Sequence, residues 1–400
     1  MIIANLLTGG LIGKLSLSKI SRKKYTLITM IKIGITGQAG FVGSHLYNFL
    51  NLQQNVTLVN FEKLFFIDNN HLQNFVKQCD VIVHLAAMNR HNDPDVIFKT
   101  NTGLVQQMIN AMEAEAVTPH IIFSSSTQEE KDNLYGRSKK EGRELFEKWA
   151  LKNKAVFTGL VIPNVFGPFG NPHYNSVIAT FSHQLTHNET PKVDVDSTLN
   201  LIYVAELVEV IWQKIREKTS ATVFQVLPTV TIKVTEILKH LQRFKIDYFE
   251  NAIIPELNSQ FKLNLFNTFR SYINHQTFFP FYLKKNTDER GSFVETIKLQ
   301  IGGQVSFSTT KPGITRGNHF HTRKIERFAV IKGKARIDLR RINTSEVISF
   351  KLDGETPSFV DMPVWCTHSI TNVGEEELYT IFWINEFFNP ADSDTFFEAV

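Results

Sequence analysis

His319 and His321 stand two residues apart, Glu326 follows, and a further histidine, His368, comes after Pro363. Imidazole and carboxylate bind borderline divalent ions, and residues two apart on a strand project to one face. The first two histidines therefore point together, with Glu326 and His368 arriving from neighbouring strands. Three imidazoles and one carboxylate suit a zinc ion and leave positions open for water or substrate. A second group lies far upstream, where Tyr135 and Lys139, four apart, share one face of a helix. The lysine cation favours phenolate, which predicts a tyrosine pulled below its usual pKa of about 10 and able to exchange a proton with a carbonyl oxygen. Ser124-Ser125-Ser126-Thr127 ends the preceding strand and offers a hydroxyl to the same oxygen.

Between an apolar run and a helical pattern, residues 36–43 read TGQAGFVG. Gly37, Gly40 and Gly43 let such a turn close tightly, so that backbone N–H groups reach a pyrophosphate at the helix N-terminus. Gly37, Gln38, Gly40, Phe41, Val42 and Gly43 are the expected cofactor contacts. NAD-binding units place an acid at the tip of the second strand to hold the ribose hydroxyls. Here that tip reads Val59-Asn60-Phe61-Glu62-Lys63. Asn60 replaces an acid and Lys63 can meet a 2′-phosphate, which favours NADPH over NADH although Glu62 is close by.

These groups need rigid elements. From Ile31 the chain alternates strand and helix, with strands over 31–36, 55–61, 80–87, 120–126, 157–165, 199–204 and 222–227. Helical stretches are expected at 41–50, 96–116 and 135–153. Such alternation implies parallel βαβ units. The short step from the second strand to Asp80 predicts a sheet lacking one strand. Helical periodicity dominates from 233 to 273. Beyond Phe281 short strands separated by turns such as Gly302-Gly303 and Asp353-Gly354 read as an all-β sandwich or barrel. The expected domains are residues 30–276 and 277–400. Four hundred residues, 42% of them apolar, suffice for two separate cores.

The net charge of +4 comes from the N-terminus: residues 1–29 carry Lys14, Lys19, Arg22, Lys23 and Lys24 and no acid. Removing these five from 43 basic residues leaves 38 against 39 acidic ones, so the charge implies no nucleic-acid partner. Those residues read as an extension outside the fold, since their apolar stretch precedes the basic cluster instead of following it. Cys79 and Cys366 lack metal-type spacing and suit a reducing cytoplasm. No apolar run reaches transmembrane length.

TGQAGFVG, HLAA (residues 84–87), Asn101, FSSST (residues 123–127) and YGRSK (residues 135–139) together resemble the extended short-chain dehydrogenase/reductase family. That resemblance implies a Rossmann domain and a Ser–Tyr–Lys catalytic set, with Asn101 supporting the lysine's proton relay. Ser126 matches the polarising serine and Ser125 is the alternative, because the loop to Tyr135 is shorter than the family's. Leu85, Ala86, Ala87 and Pro163 would line the cofactor, and Asn164 the sugar pocket. Gly313, His319, His321, Glu326 and Gly333, with Pro363, His368 and Asn372, resemble the two-part signature of cupins, except that Trp365 replaces a glycine. The run from Asp288 to Glu295, with Thr315-Arg316-Gly317-Asn318-His319, is similar to deoxysugar 3,5-epimerases. There Arg290, Phe293, Glu295 and Arg316 would grip a nucleotide-sugar, an arginine suiting a diphosphate and an aromatic ring a base. In that branch the histidine at the position of His319 is the base. As a metal ligand here, it would leave that task to another residue or a metal-bound water.

The order of both modules over residues 30–400 resembles the CapF family of capsular polysaccharide enzymes. The resemblance implies a homodimer acting on a UDP-sugar. Its cupin would epimerise C3 of a 4-keto-2-acetamido-2,6-dideoxyhexose, and its Rossmann domain would reduce C4 to the L-talose configuration. The alternative is a reductase whose zinc-bearing cupin serves only dimerisation and stability.

Overall fold

The computed structural model describes residues 30–289 and 291–400, and for residues 291–293 the backbone alone. The expected extension (1–29), Arg290 and the Phe293 side chain lie outside the described residues. β1 (Ile31–Thr36) leads to α1 (Phe41–Asn51), β2 (Val56–Val59), α2 (Asn69–Gln78), β3 (Val81–His84) and α3 (Pro94–Ala114). β4 (His120–Ser126), α4 (Leu134–Asn153) and β5 (Phe157–Ile162) follow. Next come β6 (Asn164–Phe166), α5 (Val177–Thr186), β7 (Thr198–Tyr203), α6 (Val204–Glu217) and β8 (Ala221–Gln225).

Six strands form a sheet in the order β2-β1-β3-β4-β5-β8, with every pairing parallel. β3 and β5 are buried along their whole length, as runs of Val, Ile, Leu and Phe require when helices cover both faces. Leu46, Leu50, Leu207, Ile211 and Trp212 cover one face; Phe75, Met108, Met112, Phe146 and Trp149 cover the other. β2 is an edge, and among the described residues no strand lies beyond it, as the short step to Asp80 predicted. Because β2 and β3 flank β1, a crevice opens at the carboxyl ends of β1 and β3, where such sheets bind ligands.

β9 (Val230–Lys233) joins β6 and β7 in a small sheet. α7 (Val234–Phe244), a π-helical turn (Lys245–Glu250), β10 (Ile253–Ile254), α8 (Gln260–Arg270) and α9 (His275–Phe278) then lead to an all-β region. It holds β11 (Phe281–Tyr282), β12 (Lys285–Asp288), β13 (Gly291–Val294), β14 (Lys298–Leu299), β15 (Gln304–Thr310), β16 (Thr315–Phe320) and β17 (Glu326–Lys332). β18 (Lys334–Arg341), β19 (Val347–Asp353), β20 (Ser358–Met362), β21 (Cys366–Asn372), β22 (Leu378–Ile384) and β23 (Phe396–Phe397) complete it.

Two antiparallel five-stranded sheets, β11-β20-β17-β22-β15 and β19-β18-β21-β16-β23, enclose a core of Ile337, Leu339, Phe350, Val360 and Ile370. The outer face of the first sheet is buried against the helical segment. Trp383 and Ile325 share a core with Phe166, Leu241, Phe244, Tyr248, Phe266 and Phe269. The Arg327 guanidinium donates to both oxygens of Asp361 at 2.7 and 2.9 Å, Tyr248 Oη donates to Asp361 at 2.7 Å, and Arg327 Nη1 reaches the Ala252 carbonyl at 3.0 Å. Among the described residues no helix is long and apolar enough to cross a membrane.

Candidate active site and metal centre

The 36–43 turn meets the loop after β3 at the crevice. Gly37 has φ 76°, and a Cβ there would lie 2.9 Å from the Ala86 nitrogen. A Cβ on Gly43 would lie 2.2 Å from the Gly37 carbonyl oxygen, so only glycine lets α1 start this close to β1. Thr36 anchors the facing loop: its carbonyl accepts from the Leu85 N–H at 3.1 Å and its hydroxyl from the Ala86 N–H at 3.3 Å. No side chain caps α1, which leaves its N-terminal dipole for an anion. Gln38 donates to Asn60 at 3.4 Å, and its Oε1 is buried without a partner. Uncapped helix, close-approach glycines and an orphaned amide fit a dinucleotide. Lys63 is exposed at the start of a short 3-10 turn.

The proton-transfer group departs from expectation in three ways. Tyr135 is not pulled down: burial, then the nearby Tyr174, push it up to about 12. Lys139 is the perturbed partner, driven down to about 7 by burial against some opposition from Glu129. Its Nζ lies 4.5 Å from the centre of the Phe123 ring and 3.5 Å from Ser124 Oγ, and it forms no ion pair among the described residues. Asn101 supports the lysine only at a remove. It accepts from the Met88 N–H at 2.7 Å and donates to the Met88 carbonyl and Ser138 Oγ, each at 3.0 Å, locking α3 to α4 and to the post-β3 loop. Finally, strand alternation separates the serines. Ser125 shares the α4 side with Phe123 and donates to Glu129, whose carboxylate is paired with Arg143 at 2.8 Å. Ser126 Oγ accepts from the Gln128 N–H at 3.2 Å at the strand end.

In the C-terminal barrel the four expected metal residues converge. One ligand atom each from His319, His321, Glu326 and His368 lies within 4.8 Å of the others. His319 faces His368 across the β16–β21 pairing, and Glu326 opens β17 in the opposite sheet, so the cluster sits between the sheets. Glu326 Oε2 is 3.1 Å from Nε2 of both His321 and His368 and 3.9 Å from that of His319. Burial would raise the Glu326 carboxyl, but hydrogen bonds from the three imidazoles hold it well below the usual range. Nδ1 of His321 lies 2.5 Å from the Asp394 carbonyl and Nδ1 of His368 lies 3.2 Å from the Cys366 carbonyl. A carbonyl only accepts, so both rings turn Nε2 inward, an arrangement that fits a divalent ion. Cys366 itself stays outside the cluster, its thiol pushed up to about 12 by burial.

Trp365 explains its own departure from the signature. Its φ is 60°, the left-handed backbone that a glycine would adopt freely. Its N–H donates to the His321 carbonyl at 2.7 Å, and its ring lies against Phe320 and against His45 of α1.

Residues 33–226 match the NAD dependent epimerase/dehydratase family, and residues 286–396 match the polysaccharide biosynthesis C-terminal domain. The chain is 32% identical over 369 residues to UDP-2-acetamido-2,6-beta-L-arabino-hexul-4-ose reductase of Pseudomonas aeruginosa, spanning 92% of this chain and 98% of that one. It is 34% identical to the solved structure of the capsular polysaccharide assembling protein CapF from Staphylococcus aureus, with a TM-score of 0.60, covering 92% of this chain and all of that one. The chain belongs to the CapF family. A structure of RMD from Pseudomonas aeruginosa complexed with NADPH is similar in fold, at 18% identity and a TM-score of 0.50, covering 54% of this chain and 83% of that one. Membership in the CapF family makes this chain a nicotinamide-dependent oxidoreductase.

Other expected contacts of this CapF-family chain are placed unevenly. Pro163 is buried after β5 while Asn164 is exposed. Glu295 is also exposed. Arg316 bridges the two sheets, donating to Thr310 Oγ1 and to the Thr309 carbonyl, each at 3.1 Å. Sequence reading offered Ser124 only as one hydroxyl of the strand-end run, and it missed Glu129 and Asp394. The period-2 alternation of β4 would have separated Ser124 from Ser125. Asp394, 73 residues from His321, carries no local signal.

Proposed function

We propose that this chain acts twice on one UDP-sugar. The cupin epimerises C3 of a UDP-2-acetamido-2,6-dideoxy-4-ketohexose, and the Rossmann domain then reduces C4 with NADPH. The product is UDP-2-acetamido-2,6-dideoxy-L-talose, on the route to UDP-N-acetyl-L-fucosamine for capsule or O-antigen. The observation that carries this reading is the coexistence in one chain of Tyr135 and a buried Lys139 on α4, a glycine turn that fits a dinucleotide, and a four-residue cluster of metal-ligating side chains. The Pseudomonas relative, aligned over 98% of its length, supports the substrate class.

NADPH, when bound, supplies the hydride to C4. A phenol held near 12 remains protonated at neutral pH, so Tyr135 gives its proton to the C4 oxygen and becomes phenolate. Lys139 in its cationic form favours that phenolate, and Ser126 donates a hydrogen bond to the same oxygen. Gly37, Gly40 and Gly43 bring backbone N–H groups to the cofactor phosphates, while Lys63 favours NADPH. In the barrel, His319, His321, Glu326 and His368 would hold zinc, whose Lewis acidity would polarise the ketone. The 4-ketone acidifies the adjacent C3–H: a base would take that proton and leave the electron pair on the enolate oxygen, and a proton exchanged with solvent would return to the other face of C3. Arg316, with Arg290, Phe293 and Glu295, would bind the nucleotide. Glu129 is paired with Arg143, which opposes a dehydratase needing a free acid beside Ser126.

A structural role for the cupin has its own support in the buried Arg327–Asp361–Tyr248 seam. A homodimer is supported by the edge strand β15, which leaves Val305 58% and Phe307 72% exposed. Two buried free cysteines suit the cytoplasm. The readings separate in D₂O without NADPH. Glu326→Gln should slow deuterium exchange at C3, whereas Tyr135→Phe should leave exchange intact and lower NADPH consumption by about 10²–10⁴-fold. Exchange stopped by Tyr135→Phe and spared by Glu326→Gln would assign the epimerisation to the Rossmann domain and leave the cupin a structural partner.

A further inference from the structure

The turn between β16 and β17 begins with His321 and ends just before Glu326, so two metal ligands bracket it. Ile325 is seated in the core and its N–H donates to Asn385 Oδ1 at 2.8 Å, and the Arg323 carbonyl accepts from Asn267 at 3.1 Å. The three N–H groups of residues 322–324 are held instead by residues 392–400. Asp394 is buried, and its Oδ1 accepts from the Thr322 N–H at 3.0 Å and from Thr322 Oγ1 at 2.6 Å. Its Oδ2 accepts from the N–H groups of Arg323 and Lys324 at 3.0 and 2.9 Å. Three consecutive backbone N–H groups thus converge on one carboxylate, a concave anion nest filled from within the chain. The same residue offers its carbonyl to Nδ1 of His321.

The neighbours of Asp394 extend the grip. Ser393 accepts from Lys324 Nζ at 2.6 Å, and Arg323 is paired with Asp392 at 2.9 Å. Past Asp394, Phe396 and Phe397 pair with Phe320 and His319 of β16, and the Glu398 N–H donates to the Asn318 carbonyl at 3.0 Å. A stretch of nine residues, 392–400, therefore backs His319 on β16 and His321 just beyond it. Asp394 has φ 43°, a left-handed backbone that aspartate and asparagine adopt more readily than most residues other than glycine.

We propose that Asp394 is the positioning residue of the metal centre and that the last residues of the chain are a strap that sets its geometry. Resting on the reading of His319, His321, Glu326 and His368 as metal ligands, the assignment gives Asp394 two tasks. Its carbonyl selects the His321 tautomer with the proton on Nδ1, so that Nε2 faces the ion. Its carboxylate fixes the distance between His321 and Glu326 by holding the turn that joins them. Neither task touches substrate.

The test is zinc affinity of the metal-stripped full-length protein, measured by competition with a chromogenic chelator, beside the melting temperature of the stripped protein. Wild type should bind one zinc, and Glu326→Gln should weaken that binding. Asp394→Ala should raise the zinc Kd by about 10–100-fold, the usual effect of losing an outer partner of a metal ligand. Asp394→Asn retains the Oδ1 acceptor and tolerates the positive φ, but presents an NH₂ to two N–H donors. It should fall between wild type and alanine, and it serves as the folded comparison where alanine lowers soluble yield. A melting temperature that falls in both variants with an unchanged zinc Kd would overturn the positioning role and leave the metal centre standing. Absence of zinc binding in wild type, or binding indifferent to Glu326→Gln, would overturn the metal centre and the role of Asp394 with it.

Discussion

Lys139 shows how a catalytic side chain is made expensive. A lysine ammonium buried with a serine hydroxyl at 3.5 Å and an aromatic face at 4.5 Å loses hydration that the more distant Glu129 charge offsets only in part, and its pKa falls to about 7. Unfolded, the same group titrates near 10.4. Below about pH 7 it is charged in both states and the full desolvation cost opposes folding. Between about 7 and about 10.4 the unfolded chain binds more protons, so stability attributable to this residue rises with pH. Lys139→Met should therefore raise the melting temperature of the cofactor-free protein while abolishing reduction. The gain should be largest below pH 7 and shrink towards pH 10. Calorimetry across that range checks it, and a gain that grows with pH would contradict the burial cost.

At the scale of an element, the turn between β20 and β21 carries Trp365 where a glycine would meet the backbone demand at no cost. A bulky residue at φ 60° is strained by about 1–2 kcal/mol. What offsets the strain is the ring, 6% exposed, wedged between Phe320 of the barrel and His45 of α1. Trp365→Gly should relieve the backbone and keep the N–H donor to the His321 carbonyl, so zinc content should be unchanged. The seam would lose a buried aromatic, typically about 3–5 kcal/mol, for a net loss of about 1–4 kcal/mol after the relieved strain. Denaturant unfolding together with metal analysis checks both halves: loss of zinc without loss of stability would reverse the assignment.

Across the whole molecule the two domains are joined by core packing. Trp383 is fully buried among side chains of the helical segment, and Asp361 gathers Arg327 and Tyr248 out of solvent. Asp361→Asn would leave the Arg327 charge uncompensated, a change worth about 3–5 kcal/mol. Arg327→Met combined with Asp361→Leu removes both charges and should recover most of that loss. Both domains should melt together in wild type and in Asp361→Asn. Separate transitions in wild type would show that the seam carries little of the stability.

The sequence by itself determined whatever depends on local spacing. TGQAGFVG between a strand and a helix, Tyr135 and Lys139 one helical turn apart, and the convergence of His319 with His321 were legible because backbone period and glycine conformation are properties of neighbouring residues, although β16 ends at Phe320 and His321 opens the turn. The alternation of strand and helix and the change to short strands after Phe281 were legible for the same reason. Tertiary structure decided what depends on solvent exclusion and on distant partners. Tyr135 rises and Lys139 falls because burial dominates at both, and burial is set by packing across the sheet. Ser125 is withdrawn by Glu129 and Arg143. Asp394 reaches His321 only after the end of the chain folds back, since a hydrogen bond across 73 residues leaves no periodic trace in the residues between.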